Sequence, residues 1–216
     1  MTKQVVKRGP WQIWLMIAML SGVIVAGFLL FPKTEEQRDR LLSRLGTTNH
    51  GEFVLPPVSM GSLTLTDSEG SPWTFNEQKL KWRLLIPGGS ECIERCREML
   101  YLSRQVHVSL GKYSRRFERL YLSLDGATSE ETSGYIKQNH PFLHIVQGSS
   151  KELKELLNST NTPFSSNNSD EAGEIRAYLV DQQGLVMMSY TLKNKGSEII
   201  EDIEHLMKYS PSNVAN

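Results

Sequence analysis

Ser90-Glu91-Cys92-Ile93-Glu94-Arg95-Cys96 holds the only two cysteines of a 216-residue chain. An apolar segment, Trp82 to Ile86, precedes the stretch and is closed by Pro87-Gly88-Gly89. After it, Arg97 to Leu110 has helical spacing, with Cys92, Cys96, Met99, Leu100, Val106 and Leu110 on one apolar side. The expected helix starts at Ser90 as N-cap and runs to Leu110, with Glu91 and Glu94 in its first turn. Two thiols between a strand exit and a helix entrance meet free backbone N–H groups and the positive end of the helix dipole. Both favour a thiolate. A bridge between them closes so short a loop that it restricts the unfolded chain little, which makes a poor structural staple. Two readings stand at this point. The thiols are reactive or metal-binding, or they are small buried residues on a helix face.

Outward from the cysteines the chain alternates strands and helices. Upstream, Ser62 to Thr66 and Trp73 to Phe75 alternate around the turn Asp67-Ser68-Glu69-Gly70, a β-hairpin pattern. Downstream come a strand at Phe117 to Leu124, a helix at Thr128 to Asn139, an apolar run at Pro141 to Val146 and a helix at Ser149 to Leu157. Asn158 to Gly173 is rich in Ser, Asn and Thr and reads as a surface loop. A hairpin over Ile175 to Asp181 and Leu185 to Tyr190 and an amphipathic helix over Ser197 to Met207 close the domain. This order predicts an α/β sandwich of the thioredoxin-like kind, with an added N-terminal β-hairpin.

Trp11 to Phe31 contains no charged residue and is long enough to cross a bilayer core of ~30 Å. Lys3, Lys7 and Arg8 precede it, whereas Lys33 to Arg40 mixes signs. The positive-inside rule therefore predicts a cytoplasmic N-terminus and an exported remainder. Phe28-Leu29-Leu30-Phe31-Pro32 offers no small-residue cleavage pattern, which favours an uncleaved anchor over a signal peptide. The expected organisation is a basic tail (1–10), an anchor (11–32), a stalk and linker (33–57), the thioredoxin-like domain (58–209) and a polar tail (210–216). Net charge is zero, and no aromatic-interleaved basic stripe points to nucleic acid.

Several segments, in order, resemble the Sco (SenC/PrrC-like) proteins of cytochrome c oxidase assembly. They are Leu63 to Asp67 with Glu69-Gly70, Lys81 to Leu85, Cys92-x-x-x-Cys96, Leu120 to Asp125, His140-Pro141 with Gly148, and Tyr178 to Asp181 with Gly184. The resemblance covers about Val58 to Met207. It implies a thiol pair, Cys92 and Cys96, that exchanges disulfides or holds Cu(I). It also implies work on the dinuclear copper site of oxidase subunit II, or on another envelope thiol protein. The implied address is the bacterial inner membrane, single-pass, with the soluble domain in the periplasm. Two departures qualify it. The family's copper-ligand histidine falls at Gly173, and its proline after the first cysteine is Ile93.

The chemistry of the residues sharpens the departures. Two thiolates suit soft Cu(I), while Cu(II) wants nitrogen ligands. His50 and His205 read as surface residues, His107 lies about four helical turns from Cys92, and His140 and His144 flank a strand. Of Met187 and Met188, one is expected in the core. For exchange, Cys92 is expected to be the exposed attacking thiolate and Cys96 the resolving thiol. Arg95 and Arg97 would support the thiolate, and Glu91 and Glu94 would oppose it. A pair one helical turn apart makes an awkward bridge unless the first turn opens. Two other functions remain open: a general envelope thiol–disulfide oxidoreductase, and a non-catalytic thioredoxin-like binding module.

Overall fold

The computed structural model describes residues 11–30, 49–164 and 175–210. The expected basic tail, the helical stalk over 34–45, Gly173 and residues 211–216 lie outside the described residues. The chain divides into two compact units, Met1–Thr48 and Asn49–Asn216. In the first, α1 (Trp11–Leu30) is a 20-residue helix without a charged residue. Its side chains are exposed on every side over residues 13–27, the longest stretch in which they are all described. Among the described residues no helix is long and apolar enough to cross a membrane. The expected transmembrane anchor therefore rests on the sequence alone.

The second unit is built on one sheet. Its strands are β1 (Glu52–Ser59), β2 (Leu65–Asp67), β3 (Pro72–Trp73), β4 (Trp82–Gly88), β5 (Phe117–Leu124), β6 (Leu143–Gly148), β7 (Arg176–Val180) and β8 (Leu185–Thr191). They lie in the order β1-β8-β7-β4-β5-β6-β2-β3. β4 runs parallel to β5, which runs parallel to β6, while β7 is antiparallel to β4. Every residue of β4 is buried, as a strand covered on both faces requires. The helices are α2 (Glu94–Ser109), α3 (Glu130–Asn139), α4 (Ser150–Leu157) and α5 (Gly196–Tyr209).

Two apolar layers sandwich the sheet. On one face Cys92, Cys96, Met99, Leu100 and Val106 join Ile136 of α3 and Ile199, Ile203 and Met207 of α5 over Leu84, Ile86 and Tyr121. On the other, Leu153 and Leu157 of α4 join Met60 and Phe75 over Leu85, Leu120, Leu122 and Tyr178. At about 1.5–3 kcal/mol per fully buried large apolar side chain, these layers hold the sheet. Turn chemistry sets its edges. Asp67 Oδ1 accepts from the N–H groups of Glu69 and Ser71, with Gly70 at φ +85°. Asp181 Oδ1 accepts from Gln183 and Leu185, with Gly184 at φ +89°. These are the side-chain turns that allow the two hairpins to close.

Three features differ from the sequence expectation. First, Glu52–Ser59 is an edge strand on β8, where sequence reads linker. The prolines Pro56 and Pro57 look like loop chemistry, but an edge strand tolerates residues without an N–H, and the register of β1 shifts between Phe53 and Val58. Asp202, buried in α5, holds the entry: its carboxylate accepts from His50 N at 3.1 Å, Gly51 N at 2.8 Å and Tyr190 Oη at 3.3 Å. Second, α2 begins at Glu94 with Ile93 as N-cap, not at Ser90. Third, the expected hairpin strand around Phe75 is shorter, because Phe75–Glu77 turns into a 3₁₀ segment.

Candidate functional site

The late start of α2 decides the geometry of the cysteines. Cys92 occupies the turn before the helix and Cys96 its first turn, so the pair does not sit within one helical turn. Their Cα atoms are 5.2 Å apart and their sulfurs are joined in a disulfide. The expected awkwardness of an intrahelical bridge does not arise, because the N-cap Ile93 between the two cysteines is extended and Cys92 lies ahead of the helix.

The pair is not exposed as expected. Cys92 is 2% and Cys96 3% accessible, and both belong to the apolar layer under α2. The physical reason lies in what covers them. Ser129 N donates to Ser90 O at 2.8 Å. Cys92 N donates to Thr132 Oγ1 at 3.1 Å, which ties the cysteine turn to the start of α3. Ser129 caps α3 by accepting from Thr132 N, so one serine orders both elements. Arg97 Nε donates to Cys92 O at 2.9 Å, and its Nη2 meets Glu131 at 2.8 Å. The Arg97 guanidinium also lies 4.6 Å from the centre of the Tyr135 ring. Arg97 therefore braces the backbone of the cysteine turn. Glu91, Glu94 and Arg95 are exposed.

Under Cys96 lies Tyr121 of β5, a residue that sequence reading passed over. Its hydroxyl donates to Gly89 O at 2.7 Å and stands 3.9 Å from Cys96 Sγ. Burial pushes the phenol well above its ordinary range, so it remains a neutral hydroxyl. Gly88 is required beside it, since a Cβ there would collide with the Tyr121 ring and hydroxyl. The signal available in the sequence was the Gly88-Gly89 pair itself, which marks a close approach of backbone to a side chain. Ile93 provides no side-chain cap for the first turn of α2.

No metal set assembles around the sulfurs. Among the described residues no group of three His, Cys, Asp or Glu side chains is placed to hold a metal. His50 bonds Glu201 at 3.0 Å, exposed His205 stacks near Tyr209, and His144 meets Glu118 at 3.3 Å. His107 accepts from Arg119 Nε at 3.2 Å. His140 is buried, and neither ring nitrogen meets a hydrogen-bond partner among the described residues. Burial first, then the charges of Arg119 and Arg104, hold it at about 4, so its imidazole is neutral at pH 7. Met188 is the core methionine of the pair and receives Tyr190 Oη at 3.5 Å. A disulfide cannot ligate copper as thiolates do, so the residues present fit Cu(I) only after reduction, with two sulfur ligands.

Comparison with known proteins bears on the fold that carries this site. The family model described as "Transmembrane-like, thioredoxin-like, C-terminal domain" matches residues 82–210. The mitochondrial SCO2 homolog of Danio rerio is 24% identical over 204 residues, covering 90% of this chain and 71% of its own length. Arabidopsis thaliana ScoI, solved with copper bound, has a TM-score of 0.54 at 18% identity, covering 68% of this chain and 97% of its own. BsSco, a Sco-family protein in which a disulfide switch has been identified, has a TM-score of 0.55 at 16% identity, covering 72% of this chain and 96% of its own. At these identities the two solved structures speak for the fold.

Proposed function

The chain belongs to the Sco family of thioredoxin-like proteins, and from that membership we propose that it serves cytochrome c oxidase assembly by thiol–disulfide exchange through Cys92 and Cys96. The family is associated with oxidase assembly and copper handling. The observation that carries the exchange reading is the Cys92–Cys96 bond itself, set between a strand and a helix, with no third metal ligand among the described residues.

The step balances as follows. A Cys92 thiolate attacks one sulfur of a substrate disulfide, forms a mixed disulfide and expels the first substrate thiolate. The Cys96 thiolate then attacks Cys92 Sγ, forms the intrachain bond and expels the second substrate thiolate. Two electrons pass to the substrate, and a dithiol reductant of the envelope restores the pair. Cys92 takes the attacking role although both sulfurs are buried. It lies in a turn flanked by exposed Ser90, Glu91 and Ile93, whereas Cys96 is fixed on the helix against Tyr121. Opening the turn exposes Cys92 first. The natural substrate is the cysteine pair that receives copper in oxidase subunit II. Cu(I) is a second cargo, held by the reduced pair and released when the bond forms. Gly173 in place of the family's histidine argues against a lasting Cu(II) site.

The reading includes an address. α1 is uncharged over its length and follows Lys3, Lys7 and Arg8, which supports an uncleaved single anchor. The N-terminus is then cytoplasmic and the thioredoxin-like unit lies in the periplasm of a bacterial inner membrane. The same chemistry with another envelope substrate is the second reading, and the missing third ligand is what favours it. The test is Cys96→Ser in the full chain, which leaves the mixed disulfide unresolved. We expect a reducible adduct with oxidase subunit II on a non-reducing gel, absent in Cys92→Ser. An adduct only with other envelope proteins selects the second reading. Normal oxidase assembly in cells carrying the double serine variant overturns the first reading, and the absence of any reducible adduct overturns both.

A further inference from the structure

At the end of the sheet away from the cysteine turn, a second site has the features of an anion receptor. β4 and β5 each bury an arginine almost completely: Arg83 is 0% and Arg119 1% accessible. Their surroundings differ in one respect. Arg83 Nε meets Glu118 Oε2 at 2.9 Å, so its charge is compensated. Arg119, on the opposite face, meets only neutral groups. Its Nε donates to His107 Nδ1 at 3.2 Å, one terminal nitrogen to Ser103 Oγ at 3.5 Å and the other to Pro141 O at 2.6 Å. Three of its five N–H donors are thus engaged, and no carboxylate reaches it among the described residues. Burial, with the charge of Arg104 nearby, lowers Arg119 to about 10, so it stays protonated at neutral pH. A buried cation without a counter-charge is costly to a fold.

Arg119 forms the floor of a cavity of about 220 Å³. Arg104 and His107 stand at its sides, and Val108, Ser114, Pro141 and Phe142 line the remainder. Among the described residues the Arg104 side chain donates from Nη1 to Asn139 O at 2.7 Å and meets no acid. Val108 and Phe142 are 74% and 77% accessible, and Phe142 is held at φ +64°, an unusual conformation for a non-glycine residue. Two guanidiniums without carboxylates therefore face an opening rimmed by apolar side chains. We propose that this cavity binds a carboxylate attached to an aromatic or branched apolar group. The carboxylate pairs with Arg119 and Arg104, and the apolar part packs on Val108 and Phe142. The proposal stands apart from the thiol chemistry and uses none of its residues.

The experiment titrates the full chain with benzoate and with acetyl-Phe-Asp-amide, following His107 by NMR. His107 faces Arg104, Arg119, Lys81, Glu118 and the backbone at Ser114, and burial with Arg119 depresses it. A bound carboxylate offsets that positive charge, so the His107 midpoint rises. We expect saturable one-to-one binding, with a Kd below about 1 mM. Arg104→Gln and Val108→Asp each weaken it about tenfold, a difference of ~1.4 kcal/mol. Both positions are exposed, so neither variant tests folding. Tighter binding of benzoate indicates a free acid as the natural ligand; tighter binding of the peptide indicates an acidic residue of a partner. No saturable binding of either probe, or binding indifferent to both substitutions, overturns the proposal.

Discussion

Reducing the Cys92–Cys96 bond should destabilise the thioredoxin-like unit by about 2 kcal/mol and no more. The magnitude comes from the loop. With a sequence separation of 4, the bond closes a ring of only about five residues. The chain-entropy relation gives a loss of about 7 cal/mol/K in the unfolded state for that length, or ~2 kcal/mol at 25 °C. The folded state should not add to it. Both sulfurs lie in an apolar layer, and a buried thiol behaves there as a small hydrophobe. The ties that position the turn, Cys92 N to Thr132 Oγ1 and Arg97 Nε to Cys92 O, involve no sulfur. The assay is urea unfolding of residues 49–216 with and without a phosphine reductant. The midpoint should move without a change in slope, since the same surface is exposed. In a thermal scan the same loss lowers Tm by about 4–8 °C for a unit of this size. A loss above ~4 kcal/mol, or unfolding on reduction, would make the bond a structural staple.

Other perturbations test the surroundings of the site. Tyr121→Phe removes the hydroxyl bonded to Gly89 O beside Cys96 Sγ, leaves a buried carbonyl unpaired and should cost about 1–3 kcal/mol in urea unfolding. Asp202→Asn should weaken three bonds that hold the chain entry. We expect a loss of about 2–3 kcal/mol and faster amide exchange at His50 and Gly51, with β4 and β5 protected as before. His140 sets an acid limit. Its folded value, about 4, lies below its unfolded value, so the unfolded chain binds the extra proton between them. Stability falls by ~1.4 kcal/mol per pH unit as pH drops from about 6.5 to 4. His140→Gln should flatten that slope in denaturation measured across the range.

The elements nearest the cysteines were legible because their patterns are local. β5 spans Phe117–Leu124 as the sequence pattern does, and the consecutive apolar residues Leu84 to Ile86 of β4 mark a strand buried on both faces. What escaped depends on distant partners. Edge strand β1 carries Pro56 and Pro57, and what fixes it to the fold is a carboxylate at Asp202, far along the chain. The helix start moved from Ser90 to Glu94 because Ser90 O is occupied by Ser129 N, a contact no local rule anticipates. The burial of Cys92 follows from the same clasp. Tyr121 had the spacing of any core strand residue, and only Gly88 hinted that its ring needed room. Arg119 was invisible for the opposite reason. A charged residue in a strand reads as a solvated edge until its neighbours are known.

The Cys92–Cys96 bond is proposed to be exchangeable rather than structural. The most direct measurement equilibrates the full chain with glutathione buffers and counts alkylated thiols. A bond whose ring contributes only about 2 kcal/mol should open fully and reversibly, with a potential above roughly −300 mV. Cys92 and Cys96 staying oxidised down to that potential, or opening only as the domain unfolds, would make the bond structural.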